Sequence, residues 1–240
     1  MEQLAFSLVE LQGFLLVLFR VGAILYAIPL FGAVQVPAMV KVGTALLLSL
    51  VIFPSVPGLD VAGRDVAWVA AAALREAAIG FAVGYVVRLI FAAAQIAGQV
   101  VGFQMGFALV NIVDPVNSEQ SPLLGELQQL VALLVFLTTN GHHMLLSALV
   151  ESFHIVPLAG ARFSGATLEM LLAATGRMFV VAIQVAAPIV GALFVTYLAF
   201  ALVARAVPQM NVFMVSLPVT IAVGLLFLGL SIPGTARLVE

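Results

Sequence analysis

Residues 66–104 read VAWVAAAALREAAIGFAVGYVVRLIFAAAQIAGQVVGFQ, an unbroken apolar run carrying only Arg75, Glu76 and Arg88 as charges. A membrane-crossing helix needs about 20 mostly apolar residues. At about 1.5 Å per residue this run would make a rod of about 58 Å, against a hydrocarbon core of about 30 Å. It must therefore protrude or break. Further apolar runs fall near residues 11–32, 39–56, 123–150, 167–205 and 212–232, and the run at 167–205 has the same excess of length. The fold class this implies is an all-α membrane protein.

Composition points the same way. The chain of 240 residues is 64% hydrophobic and 8% charged, with a mean hydropathy of +1.24. Soluble domains run at about 45–50% apolar and about 25% charged, and no soluble fold of this size hides so much apolar surface. The net charge of −2 leaves no basic surface for nucleic acid. No cysteine is present, which removes disulfides, thiolate metal sites and cysteine nucleophiles. The opening Met1-Glu2-Gln3-Leu4 has no basic region of the kind a removable signal peptide carries. The only lysine is Lys41 and the arginines are scattered, so charge asymmetry barely orients the chain.

Several residues predict kinks or breaks. Pro188 interrupts the run at 167–205, Gly98, Gly102 and Gly106 punctuate the end of the run at 66–104, and Pro29, Pro37, Pro54, Pro57, Pro208 and Pro218 lie in or beside the others. Broken helices survive in membranes where protein or water satisfies the freed backbone groups. Polar connections are expected at Pro57–Asp60, Asp114–Pro122, Glu151–Gly165 and Ala206–Asn211.

Charges within apolar runs need cover. Arg20 lies mid-run in the first segment, Arg75 and Glu76 interrupt the third, Arg88 follows, and Arg177 lies in the fifth. An arginine at the bilayer centre costs about 2.5–3.5 kcal/mol on insertion scales, so such residues face protein or water. Arg75 and Glu76 point about 100° apart on a helix and cannot pair with each other in the favoured geometry, so each needs a partner elsewhere. Salt bridging between helices or chains is the favoured reading of Arg20, Arg75, Glu76 and Arg88, and an ion or proton path is the other. Small residues add a packing signal: Gly80 and Gly84, then Ala94, Gly98, Gly102 and Gly106 at four-residue spacing, with Gln95, Gln99 and Gln104 alongside. Such a stripe lets another backbone approach closely.

Candidate chemistry fails on inspection. Glu151 and His154 have metal-ligand spacing but lack a second copy, and that stretch reads as an interfacial loop returning through Pro157. His142 and His143 are adjacent, splay apart on a helix and fit a helix start or the membrane boundary. No Gly-x-Ser-x-Gly elbow and no phosphate-binding loop occurs. The chain is expected to be no enzyme and to hold no metal or cofactor. The most distinctive stretch, GFQMGFALVNIVDP at 102–115, is a glycine-rich apolar strip ending in an Asp-Pro turn. Ser121-Pro122 then offers the cap and first turn of a following helix that carries Glu126. Irregular backbone of this kind belongs against protein or a cavity, and an ordinary interhelix turn is its simpler reading.

A set of landmarks runs in order along the chain: Arg20-Val21 with Pro29, Val36-Pro37, Lys41-Val42-Gly43, Gly98 to Gly106 with Gln104, Val113-Asp114-Pro115, Asn140-Gly141-His142, Phe153 with Pro157, and Pro208-Gln209-Met210-Asn211-Val212-Phe213 with Pro218. Together they resemble the FliR family, a subunit of the flagellar type III export gate with counterparts in virulence injectisomes. The resemblance implies one membrane domain over residues 1–240. Its helical hairpins, kinked and broken, would form a FliP-like part followed by a FliQ-like part within a hetero-oligomeric helical assembly in the bacterial inner membrane, at the flagellar basal body. It implies FliP-type, FliQ-type and FlhB-type subunits as partners, with unfolded flagellar proteins in transit and lipid around the assembly. It further implies that Gly106, Phe107, Leu109, Ile112, Val113, Asp114 and Pro115 belong to a loop that plugs the pore at rest. Many relatives carry a longer tail than one ending at Glu240, so a role for such a tail is not expected here. A stand-alone secondary transporter remains the competing reading, because broken helices and buried arginines also mark transport sites. An intramembrane enzyme would lack a catalytic constellation.

Overall fold

The computed structural model describes residues 2–29, 36–56, 64–107, 123–161 and 164–239, with backbone alone at 2–9 and 232–239. Among the described residues the order is α1 (Glu2–Ala27), α2 (Ala38–Ile52), a 3₁₀ turn (Phe53–Ser55), α3 (Val66–Gln104), α4 (Leu123–Thr138), α5 (Gly141–Ile155), α6 (Gly165–Ala206) and α7 (Val212–Val239), with no strand. Five of these helices are long and apolar enough to cross a membrane, and α4 with α5 adds a sixth if the bent pair counts as one span.

Local chemistry explains the boundaries. Pro37, with φ −57° and ψ 141°, cannot be helical and starts α2 one residue later, whereas Pro54 closes α2 in the 3₁₀ turn. At the other end of the chain, Asn211 caps α7, its side-chain oxygen accepting from the Met214 N–H at 3.4 Å. The apolar run at 123–150 does not form one rod. Asn140 adopts the left-handed conformation (φ 58°, ψ 25°) and turns α5 by 72° from α4. The hydroxyls of Thr138 and Thr139 each donate to the Val135 carbonyl at 2.9 Å, closing the last turn of α4.

Three expectations from the sequence are corrected. The long runs do not break: α3 is 39 residues and α6 is 42, and α6 passes through Pro188 without interruption. One missing N–H is tolerable where Ile189 and Val185 beside it are buried against neighbouring helices. Residues 151–155 are not a loop but the last turns of α5, because Phe153 and Ser152 enter the interior. His142 and His143 do not splay apart; on the free first turn of α5 their rings lie 4.3 Å apart.

The chain divides into two compact units, Met1–Leu89 with Asn140–Ala174 and Ile90–Thr139 with Thr175–Glu240. The first is built on α1, whose Leu16, Val17, Val21 and Ile24 are fully buried against residues of α2, α3 and α5. Gly80 and Gly84 let α3 cross α1 closely. A methyl at Gly80 would lie 2.3 Å from the Arg20 carbonyl oxygen, and one at Gly84 would lie 2.6 Å from the Ala27 methyl. In the second unit, Ala97 and Val101 of α3 and Met105 just beyond it pack with Leu124 of α4, Ile189 and Leu193 of α6 and Leu228 of α7. Phe91 meets Phe136 edge to face at 5.5 Å.

Candidate functional site

The first unit carries a fully buried ion pair. Arg20 and Glu76 are both 0% exposed, and the guanidinium Nε donates to Glu76 Oε2 at 2.5 Å. Arg20 Nη1 donates to the Ser152 carbonyl at 2.8 Å, and the guanidinium lies 4.3 Å above the Phe153 ring. The second carboxylate oxygen, Oε1, accepts from the Ala159 N–H at 2.8 Å. Ala159 holds a left-handed conformation (φ 57°), so Glu76 pins the turn that follows α5. One charged pair thus ties α1, α3, α5 and that turn together. Glu76 finds its partner on another helix, whereas adjacent Arg75 and also Arg88 are exposed on α3, and none of the described residues forms an ion pair with either.

The second unit carries the end of α3, where the chain enters the strip the sequence singled out. Gly106 has φ 89°, its N–H donates to the Phe103 carbonyl at 3.2 Å, and the Phe107 N–H donates to the Gly102 carbonyl at 3.1 Å. This pair of bonds closes a Schellman motif, in which a left-handed residue just past the helix satisfies its last carbonyls. Gly106 is therefore the helix stop, and the close-packing stripe ends at Gly102. Two further ties hold this end. The Tyr197 hydroxyl of α6 donates to the Gln104 carbonyl, which would otherwise lack an intrahelical partner. Met105, fully buried, fills a notch at Gly224 of α7, where an added methyl would lie 2.5 Å from its sulfur. About two turns earlier, Gly98 meets the Leu124 carbonyl oxygen so closely that a methyl would lie 2.3 Å from it, and a methyl at Gly102 would lie 3.4 Å from the Leu124 side chain.

Of the expected site residues, Gly98, Gly102, Gln104, Gly106 and Phe107 come together here, and Arg20, Glu76, Gly80 and Gly84 come together in the first unit. Leu109, Ile112, Val113, Asp114 and Pro115 lie outside the described residues, as does the Ser121-Pro122 cap. Gln104 takes part through its backbone, its side chain being exposed. Tyr197 and Gly224 escaped the sequence reading, and Met105, inside the stretch it singled out, was given no role of its own. Nothing local distinguishes them from other residues of apolar helices, and only the meeting of α3 with α6 and α7 gives them a role.

Over residues 11–240 the sequence matches the bacterial export proteins, family 1. The chain belongs to this family. The flagellar biosynthetic protein FliR of Bacillus subtilis (strain 168) is 38% identical over 229 residues, which span 92% of this chain and 87% of that protein. The FliR protein of Escherichia coli (strain K12) is 33% identical over 225 residues, spanning 93% and 85%. That of Aquifex aeolicus (strain VF5) is 29% identical over 219 residues, spanning 91% and 84%. The resemblance drawn from the landmark residues is thus to the same family, and this FliR-family chain is an all-α protein with several membrane-capable helices.

Proposed function

We propose that this chain is a structural and gating subunit of the flagellar type III protein export channel, and that it passes unfolded flagellar proteins across the bacterial inner membrane. The observation that carries the reading is the match to export proteins along nearly the whole chain, with relatives named for flagellar biosynthesis. Those names favour the flagellar over the virulence system. FliP-type, FliQ-type and FlhB-type subunits are its partners in this reading, and residues 1–240 act as one export-gate domain within their assembly. Its role is architectural, with no catalytic step.

The geometry supports a gate at the end of α3. A helix end tied by Gly106, Tyr197 and Met105 gives residues 106–115 a fixed stem. The strip beyond it is apolar at Phe107, Leu109, Ile112 and Val113. An apolar constriction blocks ions by dewetting, without a covalent gate. Exposed Arg75 and Arg88 belong in this reading at contacts with neighbouring subunits or water, since lipid would leave them unpaired.

The test is to shorten Phe107–Val113 and measure passive permeability of the cell membrane to small ions, with assembly checked by the mass of the detergent-extracted complex. A leaky membrane around an intact complex is expected. An intact complex with unchanged permeability would refute the gate. A purified chain that transports a solute alone in liposomes would instead favour the secondary transporter.

A further inference from the structure

We propose that Met105, seated in the notch at Gly224, is a latch that holds the channel closed, so that opening requires α7 and the end of α3 to part at this contact. The proposal rests on the gating reading above and assigns a positioning role to two residues of the second unit.

Three ties hold the end of α3, and they differ in kind. The Schellman bonds lie within α3 and its own cap, and they persist through any movement of the helix end as a body. The Tyr197 hydroxyl bond is local to one carbonyl of α6's neighbour. The Met105 contact joins this end to α7, and it is held by shape. A methyl built at Gly224 would lie 2.5, 2.7 and 2.7 Å from the sulfur, Cε and Cγ of Met105, so the thioether occupies the space a side chain at 224 would fill. Met105 is 0% exposed and stands between the last helical residue, Gln104, and left-handed Gly106. A rotation at Gly106 that re-aims Phe107 against the rest of the chain must turn or carry Met105. Methionine is unbranched and flexible, so it can leave a notch by side-chain rotation without breaking a hydrogen bond. Such a contact is strong enough to position and loose enough to release.

The chain contains no cysteine, so Met105→Cys/Gly224→Cys introduces a unique thiol pair. The sulfur would fall near the present Cγ, which is 2.7 Å from the position of a Cβ at 224, within reach of an S–S bond of about 2.0 Å. In cells carrying the assembled complex, a thiol oxidant should form the intrachain disulfide and arrest export of flagellar proteins with the membrane still tight, and a reductant should restore export. Failure of the disulfide to form, or export at the reduced rate after it has formed, would overturn the proposal. A second arm does not depend on thiols. Gly224→Val should raise passive ion permeability several-fold in an assembled complex, and Met105→Ala/Gly224→Val, which moves the volume back across the contact, should return it toward the unaltered level. Unchanged permeability in assembled Gly224→Val would also overturn the latch. If Gly224→Val does not assemble, or the thiol pair exports poorly even when reduced, the other arm decides. Failure of the gate itself reads differently, as a tight membrane after Phe107–Val113 is shortened.

Discussion

Removing one member of the Arg20–Glu76 pair should cost as much as the largest apolar truncations nearby. Both side chains are fully buried, and the pair is joined at 2.5 Å, with Arg20 Nη1 donating to the Ser152 carbonyl and Glu76 Oε1 accepting from the Ala159 N–H, while Arg20 Nη2 has no partner among the described residues. At an effective dielectric of about 20, opposite charges about 4 Å apart attract by about 4 kcal/mol. Breaking such a pair strands the surviving charge, at a cost of about 3–5 kcal/mol. Arg20→Met leaves Glu76 unpaired and also removes the donor to the Ser152 carbonyl. Glu76→Gln keeps an acceptor for the Ala159 N–H and loses only the charge, so it should fall at the lower end. For a chain of this size about 1 kcal/mol moves the unfolding midpoint by about 2–4 °C, which gives a drop of about 6–20 °C for either variant. The assay is thermal unfolding of the detergent-extracted complex, followed by helical circular dichroism at fixed protein concentration. The double variant Arg20→Met/Glu76→Leu strands no charge and should unfold closer to the unaltered protein than either single one. Single variants within about 1 kcal/mol of the unaltered protein, or a double variant worse than both, would refute the account of this pair as the tie among three helices.

Glycine replacements should separate by position. Gly80→Ala meets backbone at 2.3 Å and cannot be relieved by a side-chain rotation, so it should destabilise by about 1–3 kcal/mol or more in the same unfolding assay. Gly43→Ala meets nothing within 4 Å and should leave the stability of the isolated chain unchanged or raise it by about 0.5–1 kcal/mol, the helical preference of alanine. Gly106→Ala must hold φ near 89° with a side chain, at about 1–2 kcal/mol, and should raise passive ion permeability; Gly106→Asn should be milder. Asn140→Leu removes the residue that tolerates the left-handed turn and should favour a straight helix through 123–155. Asn140→Gly should retain the bend, and the mass of the extracted complex distinguishes the two through assembly.

Membrane class and most helix positions could be read from apolar run lengths, because the bilayer imposes one requirement on every span. Long-range pairing could not. Arg75 and Glu76 look equivalent in sequence, yet one is exposed and the other buried against Arg20, fifty-six positions away. Helical phase relative to α1 decides this, and a single sequence does not state it. The glycine stripe pointed to close approach but not to its limits. Gly98 and Gly102 meet Leu124, whereas Gly106, one turn on, ends the helix. Four-residue spacing is the same for a packing face and for a C-terminal stop, so only the backbone angle separates them. Asn140-Gly141 carried the signal for the bend at α4–α5 and was hidden by the continuous hydropathy on either side. Pro188 gave the opposite error: a proline rule drawn from isolated helices predicts a break that surrounding packing prevents.

Burial within the chain does not follow hydropathy. The apolar window of α1, with a hydropathy of 1.5, is 44% buried and that helix carries the buried Arg20, whereas the windows of α2 and α7, with hydropathies of 1.8 and 2.3, are each 17% buried. A chain folding for itself would bury its most apolar segments first. Lipid could cover α2 and α7, but it is a poor cover for α3 and α6. Arg75 and Arg88 on α3 and Arg177 on α6 are exposed, and each would cost about 2.5–3.5 kcal/mol at the bilayer centre. These two helices are also about 58 and 63 Å long at about 1.5 Å per residue, roughly twice the hydrocarbon thickness. Length and exposed charge together place part of α3 and α6 against protein or water, an environment that the proposed export assembly would supply.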